Sequence, residues 1–248
     1  MIAIGRSRLL YNSIRYLWDK GYSFDAIVTD TAYEEYDIKE SDFMELASKV
    51  GAGFFLIKNP SIPEIIAFIS KHKIDIAISV NWGSIIDSSF ISLFKDGILN
   101  LHLGNLPDYK GNATVNWSIL NGEKYIYANV HRMENDLDAG DILSRTKIKI
   151  SESTYVADIL ADTCKVAPLL FEEAIAKIRE NPEYFIEAGS KKGMRCYPRL
   201  PEYNQINWFD SGENILRLIR ASSRPYSGAF TFLDNKKIII WRSNIVRP

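Results

Sequence analysis

The chain has 248 residues with 30 basic and 31 acidic side chains, a formal net charge of −1. Phosphate-rich partners are met by an excess of Lys and Arg, so this balance argues against a nucleic-acid or anionic-membrane surface. A hydrophobic fraction of 46% can build a core, yet apolar runs such as Ile76–Val80 and Ile238–Trp241 fall far short of the ~20 residues that span a bilayer.

The opening Met1-Ile-Ala-Ile-Gly-Arg6 leads straight into a strand pattern, without the succession of basic, apolar and small residues that marks a signal peptide. Only two cysteines occur, Cys164 and Cys196, as suits a reducing cytoplasm. Short apolar, β-branched runs at Ile2–Ile4, Phe24–Val28, Gly53–Ile57, Ile74–Val80 and Ile98–Leu103 predict strands buried on both faces. Helical patterns lie between them. Leu10, Ile14 and Leu17 form a stripe that stops at Gly21, and Ser61-Ile-Pro-Glu64 has the spacing of a capping box ahead of Ile65, Ile66 and Ile69. Strand–helix–strand alternation implies an α/β, Rossmann-like parallel sheet whose crevice lies beyond the carboxyl ends of its strands. That places functional loops after Val80 and after Leu103.

A short helix near Ala113–Leu120 and strands at Ile126–Met133 and Ile142–Ile150 are expected next. A longer helix follows over Val156–Arg179, which Pro168 should kink or split. The composition changes after Gly189, with a helix near Ser211–Ala221 and a hairpin, Ala229–Leu233 and Lys237–Trp241, turning at Asp234-Asn235. The expected organisation is a catalytic domain over 1–189 and a small hairpin-and-helix appendage over 190–248.

Residues 98–142 carry the chemistry. Asn100 and His102 are two apart on one strand, so their side chains share a face while Leu101 and Leu103 turn the other way. An amide N–H and an imidazole together can hold a developing oxyanion and handle a proton, although solvated strand ends also present such residues. A tight loop, Leu106-Pro-Asp-Tyr-Lys-Gly111, follows, and then Leu137-Asp-Ala-Gly-Asp141. His131 and His72 read as structural or solvated. No His, Cys or Glu residues are spaced as metal ligands, so no metal is expected.

With these motifs in place the sequence resembles the formyltransferase family, which includes methionyl-tRNA formyltransferase, glycinamide ribonucleotide formyltransferase and the nucleotide-sugar N-formyltransferases. The match runs through Asn100, His102, Pro107, Gly111, Asp138, Gly140 and Asp141, with a similar spacing from histidine to aspartate. Pro198-Arg-Leu-Pro-Glu202, Ile206-Asn-Trp208, Ile219-Arg-Ala221 and Pro225–Phe230 resemble the segment that follows the catalytic domain in enzymes formylating 4-amino sugars on nucleotide carriers. Leu103-Gly104-Asn105 replaces the Ser or Pro usual after the histidine.

The resemblance implies N10-formyltetrahydrofolate as donor and the amine of a dTDP-linked amino-dideoxy sugar as acceptor, for a surface polysaccharide such as lipopolysaccharide O-antigen. dTDP-4-amino-4,6-dideoxyglucose is the leading acceptor, with a UDP-amino sugar, another small amine, or hydrolysis by a formyl-folate deformylase as alternatives. It implies catalysis by Asn100 as oxyanion donor, His102 as general base or second oxyanion donor, and Asp138 as the carboxylate that orients it. Folate contacts fall by analogy on Asn81, Trp82, Gly83 and Ser84, and on Asn135, Asp138 and Asp141. Acceptor contacts fall on Arg8 in the Gly5-Arg-Ser-Arg8 turn, on Asn105, Tyr109 and Lys110, and on Tyr197 and Tyr226. A homodimer through the appended hairpin is the expected assembly.

Overall fold

A computed structural model describes residues 1–246. The chain opens with β1 (Ile2–Gly5), α1 (Ser7–Asp19), β2 (Ala26–Thr29), α2 (Glu40–Val50), β3 (Gly53–Leu56), α3 (Pro63–His72) and β4 (Ile76–Val80). The short α4 (Ser88–Ile91) leads to β5 (Gly97–Leu103), β6 (Lys110–Gly111), α5 (Thr114–Leu120), β7 (Tyr125–Arg132) and β8 (Ile142–Lys149). The long α6 (Val156–Glu180), β9 (Arg195–Cys196), a 3₁₀ turn at Pro201–Asn204, α7 (Gly212–Ser222) and the β10 (Ala229–Leu233)–β11 (Lys236–Ile240) hairpin complete it.

Seven strands form one sheet in the order β3-β2-β1-β4-β5-β7-β8, and β1 through β5 pair in parallel. Parallel pairing demands crossovers, and the intervening helices supply them. The mostly apolar runs β1, β2 and β4, with only Thr29 and Ser79 polar, are buried along their whole length, as strands covered on both faces must be. Between β5 and β7 the direction reverses. Gly104 N–H donates to Tyr127 O and Met133 N–H to Ile98 O, so numbers rise on one strand as they fall on the other. The strand order doubles back at β1, which has β2 on one side and β4 on the other. Such a switch opens a crevice beyond the carboxyl ends.

The chain divides into two compact units, each drawn from three stretches. The first holds Met1–His102, Ala128–Thr146 and Cys164–Lys192, with a core that includes Ile4, Val28, Ile65, Phe90 and Ile98. The second holds Leu103–Tyr127, Lys147–Thr163 and the chain from Gly193 onward, with Tyr155, Ile206, Ile219 and Ala229 packed together. In the second unit β6 and β9 pair in parallel, Lys110 beside Arg195.

Two local details differ from expectation, and one helix was not foreseen. Ser61 does not cap α3. Its hydroxyl donates to Asp87, and the helix starts instead on Pro63 at its first position, where a missing N–H costs nothing. Pro168 does not split α6, which runs unbroken from Val156 to Glu180 with the proline inside it. Ile159, Phe171 and Ile175 on it are fully buried. α2 was not singled out in the sequence, because only Phe43, Leu46 and Ala47 face the core on an otherwise polar helix.

Candidate functional site

Antiparallel pairing of β5 with β7 places Asn100 opposite His131 and His102 opposite Asn129. Two Asn-x-His pairs, Asn100-Leu-His102 and Asn129-Val-His131, therefore face each other head to tail on adjacent strands. Alternation points all four side chains to one face. Asn129 ties the strands together by donating to the His102 carbonyl at 3.2 Å.

Asp138 enters from the turn after β7, in a left-handed conformation with φ 47°. That conformation is unfavourable for most side chains and tolerated by Asp, a mark of functional or tightly determined positions. Its carboxylate lies between the two imidazoles, with Oδ2 3.4 Å from His102 Nδ1 and Oδ1 3.4 Å from His131 Nε2. His102, His131 and Asp138 are all nearly inaccessible, at 7%, 2% and 9% of their side-chain surface. In so dry a place a carboxylate interacts with an imidazolium far more strongly than in water.

The protons can be assigned by partner. His131 Nδ1 lies 3.1 Å from the Arg132 carbonyl, which only accepts, so Nδ1 carries the hydrogen. In the neutral ring the Nε2 lone pair is then left to accept from Asn100 Nδ2, 3.1 Å away. One amide hydrogen of Asn100 is thus fixed on His131, and the second remains for a developing negative charge. His102 turns its Nδ1 toward Asp138. The arrangement sets an amide, two imidazoles and a carboxylate side by side, groups whose chemistry suits holding negative charge and handling a proton.

His131 is the residue that sequence reasoning set aside. It belongs to the cluster rather than to the core, and the repeated Asn-x-His was the signal that could have found it. His72, by contrast, stacks on Phe68 with ring centres 4.2 Å apart.

The turn that carries Asp138 is held tightly. A Cβ on Gly140 would come within 1.7 Å of the Arg132 carbonyl oxygen, so only glycine fits there. Asp141 Oδ1 accepts the Gly189 N–H at 2.8 Å, and Lys191 pairs with Asp136 at 2.8 Å. Further along, Ile186 N–H donates to Ile142 O and Ile142 N–H to Glu187 O, so residues 186–191 strap the turn. Asn135 is exposed at its tip.

The loop after β4 exposes Asn81, Gly83 and Ser84, with Trp82 half-buried and its indole N–H donating to Ser84 Oγ at 3.0 Å. Ile85 stands 80% exposed on the same loop. Arg8 is exposed, and its guanidinium is engaged by Asp37. The remaining candidates belong to the second unit. Asn105 spans two strand residues there, donating to Tyr125 O and accepting from Tyr127 N–H. The Tyr109 hydroxyl donates to Glu123 at 2.7 Å and accepts from Asn121 at 3.0 Å, and burial pushes the phenol up to about 12. The β6–β9 pairing brings Lys110, buried, beside Arg195 and hence near Tyr197, whose ring is exposed and whose carbonyl accepts from the Trp117 indole. Tyr226 is half-buried, its N–H donating to Ser223 O. No cluster of His, Cys, Asp and Glu suited to a metal occurs among the described residues.

The chain as a whole is similar to known proteins. The bifunctional polymyxin resistance protein ArnA of Wigglesworthia glossinidia brevipalpis is 35% identical over 191 residues, 77% of this chain and 29% of that protein. This chain therefore spans less than a third of that relative. Two solved structures resemble it along nearly all its length. An N-formyltransferase from Helicobacter canadensis, in complex with folinic acid and dTDP-3-aminofucose, superposes with a TM-score of 0.71 at 20% identity, covering 96% of this chain and 85% of that one. A 4-N formyltransferase from Francisella tularensis gives 0.71 at 17%, covering 96% and 95%. The formyl transferase family model matches residues 32–175, and that of the formyl transferase C-terminal domain matches residues 200–247. The first match alone spans more than half of the chain, and the chain belongs to the formyl transferase family.

Proposed function

We propose that this protein transfers a formyl group from N10-formyltetrahydrofolate to the amine of a dTDP-linked amino-dideoxy sugar, with dTDP-4-amino-4,6-dideoxyglucose as the acceptor. The observation that carries the reading is the convergence of Asn100, His102 and Asp138 on one face of the sheet's carboxyl end. Family membership and structural likeness to sugar N-formyltransferases support it.

The donor supplies an activated formyl carbon whose oxygen gains negative charge as the amine attacks. Asn100 gives that oxygen its second amide hydrogen. His102 Nε2 takes the proton that the amine loses on forming the C–N bond, and can return it to the departing folate nitrogen. Asp138 stabilises the imidazolium in between. A folate needs exposed backbone groups for the pterin edge and an apolar wall. The open loop Asn81–Ser84 with exposed Ile85, and the turn at Asn135 with exposed Leu137, offer both. Asp141 stands with them as a folate-side residue, acting through the strap. Arg8, Asn105, Tyr109, Lys110, Tyr197 and Tyr226 are the proposed acceptor side.

We place the catalytic domain at 1–189 and the acceptor-binding and dimer-forming region at 190–248. The β10–β11 hairpin exposes Phe232, Leu233, Ile238 and Ile239, which a second copy would cover in a homodimer. A cytoplasmic role in surface-polysaccharide (O-antigen) synthesis fits such a substrate.

Purified protein should formylate this sugar when given the donor, and Asn100→Ala, His102→Asn and Asp138→Asn should each lower turnover about 100- to 1000-fold without unfolding the chain. Wild-type turnover in any of the three sinks the reading. Folate release without an amine present would instead mark a deformylase, and a panel including UDP-linked amino sugars tests the carrier.

A further inference from the structure

Arg6 lies between β1 and α1 and is buried to 3%, yet it forms no strong ion pair: the nearest carboxylate, Asp30, is 3.9 Å from Nη1. It spends its donors on backbone carbonyls of two other loops. Nη1 donates to Thr31 O at 2.8 Å in the loop after β2, and Nε to Asn81 O at 3.3 Å in the loop after β4. Its guanidinium lies 4.2 Å from the Tyr33 ring centre. Nη2, fully covered, has no hydrogen-bond partner among the described residues. Gly83 lies against it, and a Cβ added there would come within 2.2 Å of Nη2 and 3.3 Å of the Tyr33 hydroxyl. A buried cation with an idle donor is costly, so its retention calls for a compensating task. Asn81 is itself held in the left-handed region, φ 54°, with its side chain donating to Ser7 Oγ at 3.0 Å. Loops after β1, β2 and β4 are thereby clamped together at the carboxyl edge of the sheet.

We infer that Arg6 is a positioning residue for the formyl donor: its planar fork fixes the Asn81–Ser84 loop in the shape that receives the folate, and Gly83 is glycine to leave room for it. The inference rests on the proposed folate site. Lysine cannot replace the fork, since one ammonium cannot span both carbonyls in a fixed plane.

The test is a double-mutant cycle read by calorimetric binding of folinic acid, with thermal unfolding followed in parallel. Arg6→Met, Arg6→Lys and Gly83→Ala should each weaken folinic-acid binding on the order of 10- to 100-fold, as small misplacements of positioning groups do. The double variant Arg6→Met/Gly83→Ala should bind within about twofold of Arg6→Met alone, because the group that the new methyl strikes is gone. Should Arg6→Met fail to fold, Gly83→Ala and Arg6→Lys carry the test. Binding within twofold of wild type in Gly83→Ala, or losses that multiply in the double variant, overturns the inference while leaving the folate site intact. A wild-type chain that does not bind folinic acid overturns both.

Discussion

Asp138 offers one carboxylate oxygen to each of two imidazoles, so the two oxygens do different work. Toward His102 it faces the ring proposed as the base. Toward His131 it faces a nitrogen already engaged by Asn100. Replacing His131 with alanine should free the Asn100 amide to rotate and remove one imidazole from beside Asp138. Turnover should fall about 10- to 100-fold, less than for Asn100→Ala, with folinic-acid binding little changed; equal loss in both measurements would place His131 in donor binding instead. Asn100, His102 and Asp138 were legible because their spacing resembles a family pattern. His131 was not, since a histidine alternating within Tyr125–Arg132 reads alike whether its ring meets a carboxylate or the core. Arg6 escaped for a related reason. Its three carbonyl and aromatic partners lie in loops that sequence does not show to be adjacent.

At the scale of elements, the hairpin from β7 to β8 and the strap at 186–191 decide where Asp138 sits. Gly140→Ala drives a methyl into the Arg132 carbonyl, and Arg132 N–H pairs with Asp141 O at 2.9 Å in that same hairpin. Destabilisation of about 2–4 kcal/mol in urea unfolding is expected, accompanied by a loss of turnover. Asp141→Ala removes the acceptor of the Gly189 N–H and should cost about 1.5–3 kcal/mol, whereas Asp141→Asn keeps an oxygen there and should cost less. In the second unit Tyr109 makes a different forecast. Its folded-state value is pushed up to about 12 from an ordinary 10, so the folded chain holds that proton more tightly than the unfolded one. The stability this provides is complete below pH 10 and lost as the pH climbs toward 12. Absorbance titration should show a late-ionising tyrosine component, and Tyr109→Phe should diminish it. Strands were the most readable elements because β-branched runs buried on both faces leave little choice of structure. Helix ends were less so: Ser61 had the right spacing for a cap, but Asp87, distant in sequence, took its hydroxyl.

For the whole molecule, strand–helix alternation was enough to foresee the parallel half of the sheet and its crevice. It could not foresee that the sheet closes with an antiparallel pair, because direction is set by the connection through α5 rather than by the strands' own residues. A ligand that binds only the folded chain raises its unfolding temperature. Folinic acid at about 100 times its dissociation constant should add about 2.7 kcal/mol, a shift of roughly 5–11 °C for a chain of this size, and no shift would argue against a donor site. The antiparallel return has one more consequence. Register alone, not the identity of the residues between Asn105 and Glu123, decides that Asn100 meets His131 and His102 meets Asn129. That interval can lengthen, shorten or change its side chains without retuning the proton chemistry, provided the two strands do not slip. The facing pairs can therefore persist while that interval diverges.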